Sequence, residues 1–339
     1  MHRFATAKKE LLPQASARRI FDLIKDELSL VEAEFERQAS SNFQVINCLG
    51  DYLRASGGKR VRPALLILSN YASGGDGASE NSIRLATVME MLHTATLVHD
   101  DIIDNADVRR NRKSINARFG NQTAVLMGDW LYMSAFQTAL RERSLEILDI
   151  LTRLTRKMTE GELIQMTMIG NLGITEDDYF DILRRKTAYL FSACCEIGAT
   201  LGGADQPQQT ALRDYGMELG VAFQLLDDIL DLTSEAEQLG KAAGTDLIEG
   251  KLTLPLIFLL KREPALKSQL ESVMLDGAYT SFTRKELRER LDAHDILDEI
   301  RSRTREFIGR ARKSLDVLPE SEYRSCLEDT LDFVTTRNN

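Results

Sequence analysis

Apolar residues recur along this chain at three- and four-residue spacing almost from end to end. No stretch alternates apolar and polar positions as a half-buried strand would. This pattern predicts an all-α protein, a large helical bundle around a central cavity, with helices near 18–38, 43–55, 62–73, 80–104, 116–142, 144–170, 176–202, 207–233, 253–262, 284–293, 296–317 and 321–335. Start signals support several boundaries. Asp205 precedes Pro207, Thr175 is followed by Glu176-Asp177-Asp178, and Thr283-Arg284-Lys285-Glu286 has the form of a capping box. The stretch Leu219 to Leu232 is apolar on most sides, as expected of a helix surrounded by others. No repeat at a solenoid period is present, and no Pro/Gly/Ser-rich linker divides the chain, so 1–339 reads as a single domain. The segment 264–339 reads as amphipathic helices without assigned chemistry.

Composition narrows the function. The 339 residues are 43% hydrophobic, enough for a large core, and the net charge of −9 with no basic block argues against a nucleic-acid partner. No apolar run approaches the roughly 20 residues that span a bilayer. Residues 1–14 carry Lys8, Lys9 and Glu10 and have no apolar core, unlike a signal or transit peptide. Cys48, Cys194, Cys195 and Cys326 lack metal-ligand spacing and read as free thiols. Together these features predict a soluble, cytoplasmic protein.

The excess acid is concentrated in two clusters that both read DDxxD: Asp100, Asp101 and Asp104, then Asp227, Asp228 and Asp231. Each closes a nearly uncharged apolar helix. Acids four apart share a helix face and repel one another, and the helix C-terminus repels them further. Folding has no use for that arrangement twice. A hard divalent cation reverses both penalties, and Mg²⁺ prefers carboxylates shared with phosphate oxygens and water.

Basic residues lie near glycines around both clusters. Gly57-Gly58-Lys59-Arg60-Val61-Arg62-Pro63 puts three cations at a helix start, where free backbone N–H groups also favour an anion. Arg109 and Arg110 follow the first cluster, and Gly240-Lys241, Gly244 and Gly250-Lys251 follow the second. Lys186, Thr187 and Gln224 are polar positions in otherwise apolar helices, and Gln224 lies on the Asp227–Asp231 stripe. Of the four histidines, His99 beside Asp100 matches one half of a phosphohydrolase metal dyad, but only His93 is near it. His93 lies on the Asp100 face and suits hydrogen bonding to an anionic substrate.

These residues resemble the trans-isoprenyl diphosphate synthase family. The matching segments, in order, are GGKRVRP (57–63), HTATLVHDDIID (93–104), RR (109–110), GDWLY (128–132), GEL (161–163), KTAYLF (186–191), FQLLDDILD (223–231) and GKAAGTDLIEGKLTLP (240–255). The resemblance implies a homodimer with two Asp clusters facing each other across a cavity. It implies that Asp100, Asp101, Asp104, Asp227, Asp228 and Asp231 hold Mg²⁺ on an allylic diphosphate. Lys59, Arg62, His93 and Arg110 would bind isopentenyl diphosphate. Arg109, Lys186, Thr187, Gln224, Lys241 and Lys251 would clasp the allylic diphosphate. Asn111 stands where the family often has glycine.

Asp100, Asp104, Asp227 and Lys186 are the residues on which ionisation of the allylic bond is expected to depend. Ala95 and Thr96, one turn before Asp100, are small where short-chain members place aromatic rings, and no Phe, Tyr or Trp occurs from Glu80 to Asp104. A long-chain product of six or more isoprene units is therefore expected, as in quinone side chains, with the 93–104 stretch most like octaprenyl-type synthases. Trp130, Phe136, Met158 and Met166 could supply a floor from other helices. Three alternatives remain: a farnesyl or geranylgeranyl diphosphate synthase, a terpene cyclase, or a non-catalytic subunit of a heterodimeric synthase. The last two sit poorly with the intact GGKR segment and six aspartates.

Overall fold

The computed structural model describes residues 19–55, 57–110, 112–234, 244–280 and 282–336. The amino-terminal segment 1–14, Asn111 and Lys241 discussed above lie outside them. Helices dominate, as the periodicity requires, and their buried faces meet in one apolar cluster. The three predicted caps are present as reciprocal capping boxes: Thr175 with Asp178, Asp205 with Gln208, and Thr283 with Glu286.

Two long helices carry the aspartates. The first, Glu80–Ile103, is capped by Ser79, whose side chain accepts from the Ser82 backbone N–H. It packs most extensively along Asn121–Ala139. The second, Gln206–Thr233, packs between Tyr189–Leu201 and Ile296–Ser314. Its close approach to Tyr189–Leu201 depends on Gly216 and Gly220. A Cβ at Gly216 would lie 2.6 Å from the Phe191 carbonyl oxygen, and one at Gly220 2.6 Å from the Ala188 Cα. Tyr215, fully buried on this helix, donates its hydroxyl to the Leu327 carbonyl at 2.7 Å, tying Glu322–Thr336 to the bundle.

The structure departs from the predicted elements in five places, and the first is the helix expected over 18–38, which is broken by a turn at Ile24 before Lys25–Gln38 begins. The helix expected over 116–142 is interrupted by Gly120, whose φ of 86° ends Ile115–Phe119 before Asn121–Ala139 begins. The helix expected over 176–202 runs through a π-helical turn at Arg184–Ala188, which side-chain periodicity does not reveal. Strand pairing, unexpected from the sequence, occurs as a two-residue antiparallel ladder, Val108–Arg109 with Arg112–Lys113. Two helices absent from the expected set, Thr245–Ile248 and Lys267–Asp276, follow the second cluster. Among the described residues, no helix is long and apolar enough to cross a membrane.

Candidate active site

Each aspartate helix turns one wetter stripe out of an otherwise buried surface. On Glu80–Ile103, positions His93, Thr96, Leu97 and Asp100 are half-buried, and so is Asp104 at its end; on Gln206–Thr233 the equivalent positions are Phe223, Gln224, Asp227 and Leu230. The neighbouring Ala95 and Ala222 are fully buried. Of the half-buried positions, His93 and Leu97 line a cleft beside the first cluster.

The first cluster is neutralised mainly by cations. Arg109 donates from Nε to Asp101 Oδ1 at 2.5 Å, its backbone fixed by the short β ladder. Lys251 Nζ reaches Asp104 Oδ1 at 2.8 Å and Glu249 Oε2 at 2.7 Å. Burial pulls the Lys251 ammonium down, but the two carboxylates outweigh it and hold its pKa above the ordinary value. Asp100 has only longer-range charges around it, and burial pushes its carboxyl up to about 6, with Lys186 opposing the rise and Glu162 adding to it. Lys186, on the π-helical turn, pairs with Glu162 Oε2 at 2.5 Å and donates to Gln165.

In the second cluster, Asp228 and Asp231 have neutral donors among the described residues. Asp228 is 3% exposed and accepts from the Tyr179 hydroxyl at 2.5 Å and from Gln224 Nε2 at 2.9 Å. Burial nonetheless raises its carboxyl to about 6, because neutral donors only partly replace water around a charge. Gln224 in turn accepts from the Thr187 hydroxyl at 2.9 Å. Asp231 accepts from the backbone N–H and hydroxyl of Thr245 and from the backbone N–H of Asp246, at the start of the short Thr245–Ile248 helix.

The basic residues form two groups. Arg62 is deeply set, its guanidinium 5.0 Å from the centre of the Phe191 ring, and its Nε lacks a hydrogen-bond partner among the described residues. Burial lowers its pKa, while Glu90, Cys194 and Asp227 oppose that shift. His93 sits well below its ordinary pKa, first through burial and then through Arg62, Arg110, Arg109 and Arg60. It is therefore a neutral imidazole, able to donate one hydrogen bond. A cleft open to solvent is lined by Gly57, Arg60, Glu90, His93, Arg109 and Arg110, among others. Lys59 is exposed and is not part of the cleft lining; its Nζ lies 5.7 Å from the Phe333 ring centre on Glu322–Thr336.

The structure thus places Arg109 and Lys251 on the first acidic cluster, links that cluster to Asp231 through the 245–251 segment, and sets Arg62, His93 and Arg110 near one another; among the described residues no three acidic, histidine or cysteine side chains are already gathered around a metal position. Lys241 lies outside the described residues. Ala95 and Thr96 lie one turn below Asp100, and the Thr96 hydroxyl bonds back to the His93 carbonyl at 2.8 Å. Several participants carried no assigned role in the sequence. Tyr179, Glu162 and Gln165 approach only through tertiary packing. The signal for Glu90 was its isolation, as the only acid between Glu80 and Asp100.

A helical bundle that buries two carboxylate clusters and rings them with guanidinium and ammonium groups has the charge pattern of a site for a metal-bound polyanion. The polyprenyl synthetase family model matches residues 43–288, and the chain belongs to that family. It is 36% identical over 309 residues to the octaprenyl diphosphate synthase of Escherichia coli K12, covering 91% of this chain and 95% of that protein. It is 37% identical over 288 residues to an all-trans-nonaprenyl-diphosphate synthase of Rhodobacter capsulatus, covering 85% and 88%. Among solved structures, the polyprenyl synthase from Caulobacter crescentus CB15 complexed with calcium and isoprenyl diphosphate is similar, with a TM-score of 0.90 and 34% identity. That match covers 95% of this chain and 98% of the other. These likenesses agree with the all-α fold and with the family read from the sequence motifs.

Proposed function

We propose that this protein is a Mg²⁺-dependent prenyltransferase that condenses isopentenyl diphosphate with an allylic diphosphate to build a long-chain all-trans polyprenyl diphosphate. The observation that carries the reading is the pair of DDxxD clusters, with Arg109 and Lys251 on the first and the Arg62 guanidinium acting on Asp227 of the second. Asp100 and Asp228, both raised to about 6, mark an excess of buried negative charge that a divalent cation would relieve. The donor set, all carboxylate oxygens, suits Mg²⁺. Asp100, Asp101 and Asp104 would hold it from one side and Asp227, Asp228 and Asp231 from the other. Bound Mg²⁺ supplies Lewis-acid stabilisation of the departing diphosphate.

The chain's own residues do the rest. Arg109, Lys186 and Lys251, now paired with Asp101, Glu162 and Asp104, exchange those partners for phosphate oxygens, with Lys241, Thr187 and Gln224 completing the clasp. Lys59, Arg62, Arg110 and neutral His93 bind isopentenyl diphosphate. The allylic C–O bond ionises, the isopentenyl double bond attacks the cation, and the proton lost passes to the released diphosphate. Apolar walls exclude water, which would quench the cation to an alcohol. The tail runs from Asp100 past Thr96 and Ala95. The absence of an aromatic ring from Glu80 to Asp104 and the likeness to octaprenyl and nonaprenyl synthases support a long product, of the kind used in quinone side chains.

The same reading makes 1–339 a single domain working in the cytoplasm as a homodimer. The apolar stripe of Leu126, Met133 and Leu140 along and just beyond Asn121–Ala139, each exposed, supports self-association there. The test is incubation with labelled isopentenyl diphosphate, farnesyl diphosphate and Mg²⁺, with dephosphorylated products resolved by length. A ladder ending at six or more isoprene units supports the proposal. A single short product would keep the enzyme class and refute the long chain, and no incorporation with any allylic primer would refute the activity.

A further inference from the structure

The cleft that holds His93 and the arginines contains one carboxylate for which the reaction has no use. Glu90 lies on the first aspartate helix, one turn before His93, and is 4% exposed. Its Oε1 accepts from Arg60 Nη1 at 2.7 Å. The other edge of the Arg60 guanidinium is taken by Glu32, with Nη2 3.1 Å from Oε2. Arg60 is the N-cap of Val61–Ala72 and adopts a left-handed conformation, φ 50° and ψ 35°, that a residue with a Cβ holds only at a cost. Arg110, also left-handed at φ 51°, donates from Nη1 to the Gly57 carbonyl. A Cβ at Gly58 would lie 2.8 Å from Arg60 Nη1 and 2.9 Å from Arg110 Nη1, so both guanidinium groups close on the loop there. Glu90 also stabilises the charged forms of Arg62 and Arg110, against the burial that lowers both.

Four guanidinium groups and a buried imidazole converge here, and like charges in a low-dielectric cleft repel strongly. Without a bound anion, something must hold them together. We propose that Glu90 is a positioning residue of the isopentenyl diphosphate site: it clamps Arg60, and through Arg60 the 57–62 loop, so that Lys59, Arg62 and Arg110 stand ready before substrate arrives. This inference rests on the assignment of that site under the proposed function. Two roles for Glu90 predict opposite signs. As a bystander it merely adds negative charge, and its removal would tighten anion binding. As a clamp its removal disorders the basic groups and weakens binding.

The experiment is steady-state kinetics of wild type, Glu90→Gln, Arg60→Gln and the double variant, varying isopentenyl diphosphate and the allylic diphosphate separately. The expected result is a 10- to 100-fold rise in KM for isopentenyl diphosphate in each single variant. KM for the allylic diphosphate changes less than 2-fold, and the double variant is little worse than either single one. A KM for isopentenyl diphosphate that is unchanged or lowered in Glu90→Gln overturns the proposal, as does an equal rise in both KM values. If Glu90→Gln fails to fold, Glu32→Gln decides. Its carboxylate is solvent-accessible, and its loss should raise the isopentenyl KM alone by 3- to 10-fold; no change overturns the clamp. Turnover by the wild type separates the two levels. A wild type inert toward every allylic primer refutes the proposed function, whereas an active wild type with indifferent variants refutes only the clamp.

Discussion

The two DDxxD clusters are nearly the same in sequence and differ in how the fold treats them. At the first, cations sit on the acids: Arg109 on Asp101 and Lys251 on Asp104, while Asp100 has no close hydrogen-bond or ion-pair partner among the described residues. At the second, among the described residues, Asp228 accepts from the neutral donors Tyr179 and Gln224, and Asp231 from Thr245 and the Asp246 amide, while the Arg62 guanidinium acts on Asp227. One turn before the leading aspartate, the first helix has Thr96 and the second has Phe223, whose ring lies 5.3 Å from that of Phe191. A cation can be displaced by a metal ion or moved onto a phosphate, whereas a buried hydroxyl and amide network stays in place. The partners of Asp101 and Asp104 are thus exchangeable and those of Asp228 and Asp231 fixed, and only the second helix has an aromatic ring one turn before its leading aspartate.

The largest effect expected breaks both sides at once. Asp100→Ala and Asp227→Ala should each lower turnover on the order of 10³-fold, since each removes a carboxylate from the proposed metal set; near-normal rates in either variant would detach that cluster from the chemistry. Next, Lys251→Ala should cost about 10²-fold in turnover, the scale for one lost electrostatic donor, with thermal stability little changed. Tyr179→Phe should show the opposite profile. Removing the hydroxyl leaves Asp228 short of a donor and costs roughly 1–3 kcal/mol of stability, measurable as a lower urea midpoint.

A smaller effect follows from the raised Asp100 carboxyl. Its ordinary value is 3.8 and its folded value about 6, so the folded state binds the proton more tightly, and the penalty this group puts on folding grows as pH rises above 3.8 and is complete above about 6. Asp100→Asn should therefore stabilise the metal-free protein by on the order of 2 kcal/mol at pH 8. The gain should fade as pH falls toward the ordinary carboxylate range, and a gain independent of pH would contradict the assignment. Finally, Ala95→Phe or Thr96→Phe copies the aromatic ring of the second helix onto the first. Each should shorten the product, read by chromatography of the dephosphorylated polyprenols, without abolishing turnover.

Periodicity and capping chemistry made most of the bundle legible, because both are local. Thr175, Asp205 and Thr283 announce their helices within three residues. The interruption at Gly120, the π-helical turn at Arg184–Ala188 and the ladder at Val108–Arg109 were not legible. A single glycine, one shifted hydrogen bond and two-residue strands leave almost no trace in an apolar repeat. For the site, the aspartates and the flanking bases stood out by charge and spacing. Their structural partners did not, since Tyr179 meets Asp228 and Glu32 meets Arg60 only after helices far apart in sequence have packed.

The most direct test of the central claim, that both clusters hold one metal-bound diphosphate, is isothermal titration of a non-reactive allylic diphosphate analogue with and without Mg²⁺. The account predicts tight binding by the wild type only when Mg²⁺ is present, and loss of that Mg²⁺-dependent binding in Asp100→Ala and in Asp227→Ala alike. Binding that ignores Mg²⁺, or that survives intact in either variant, would contradict it.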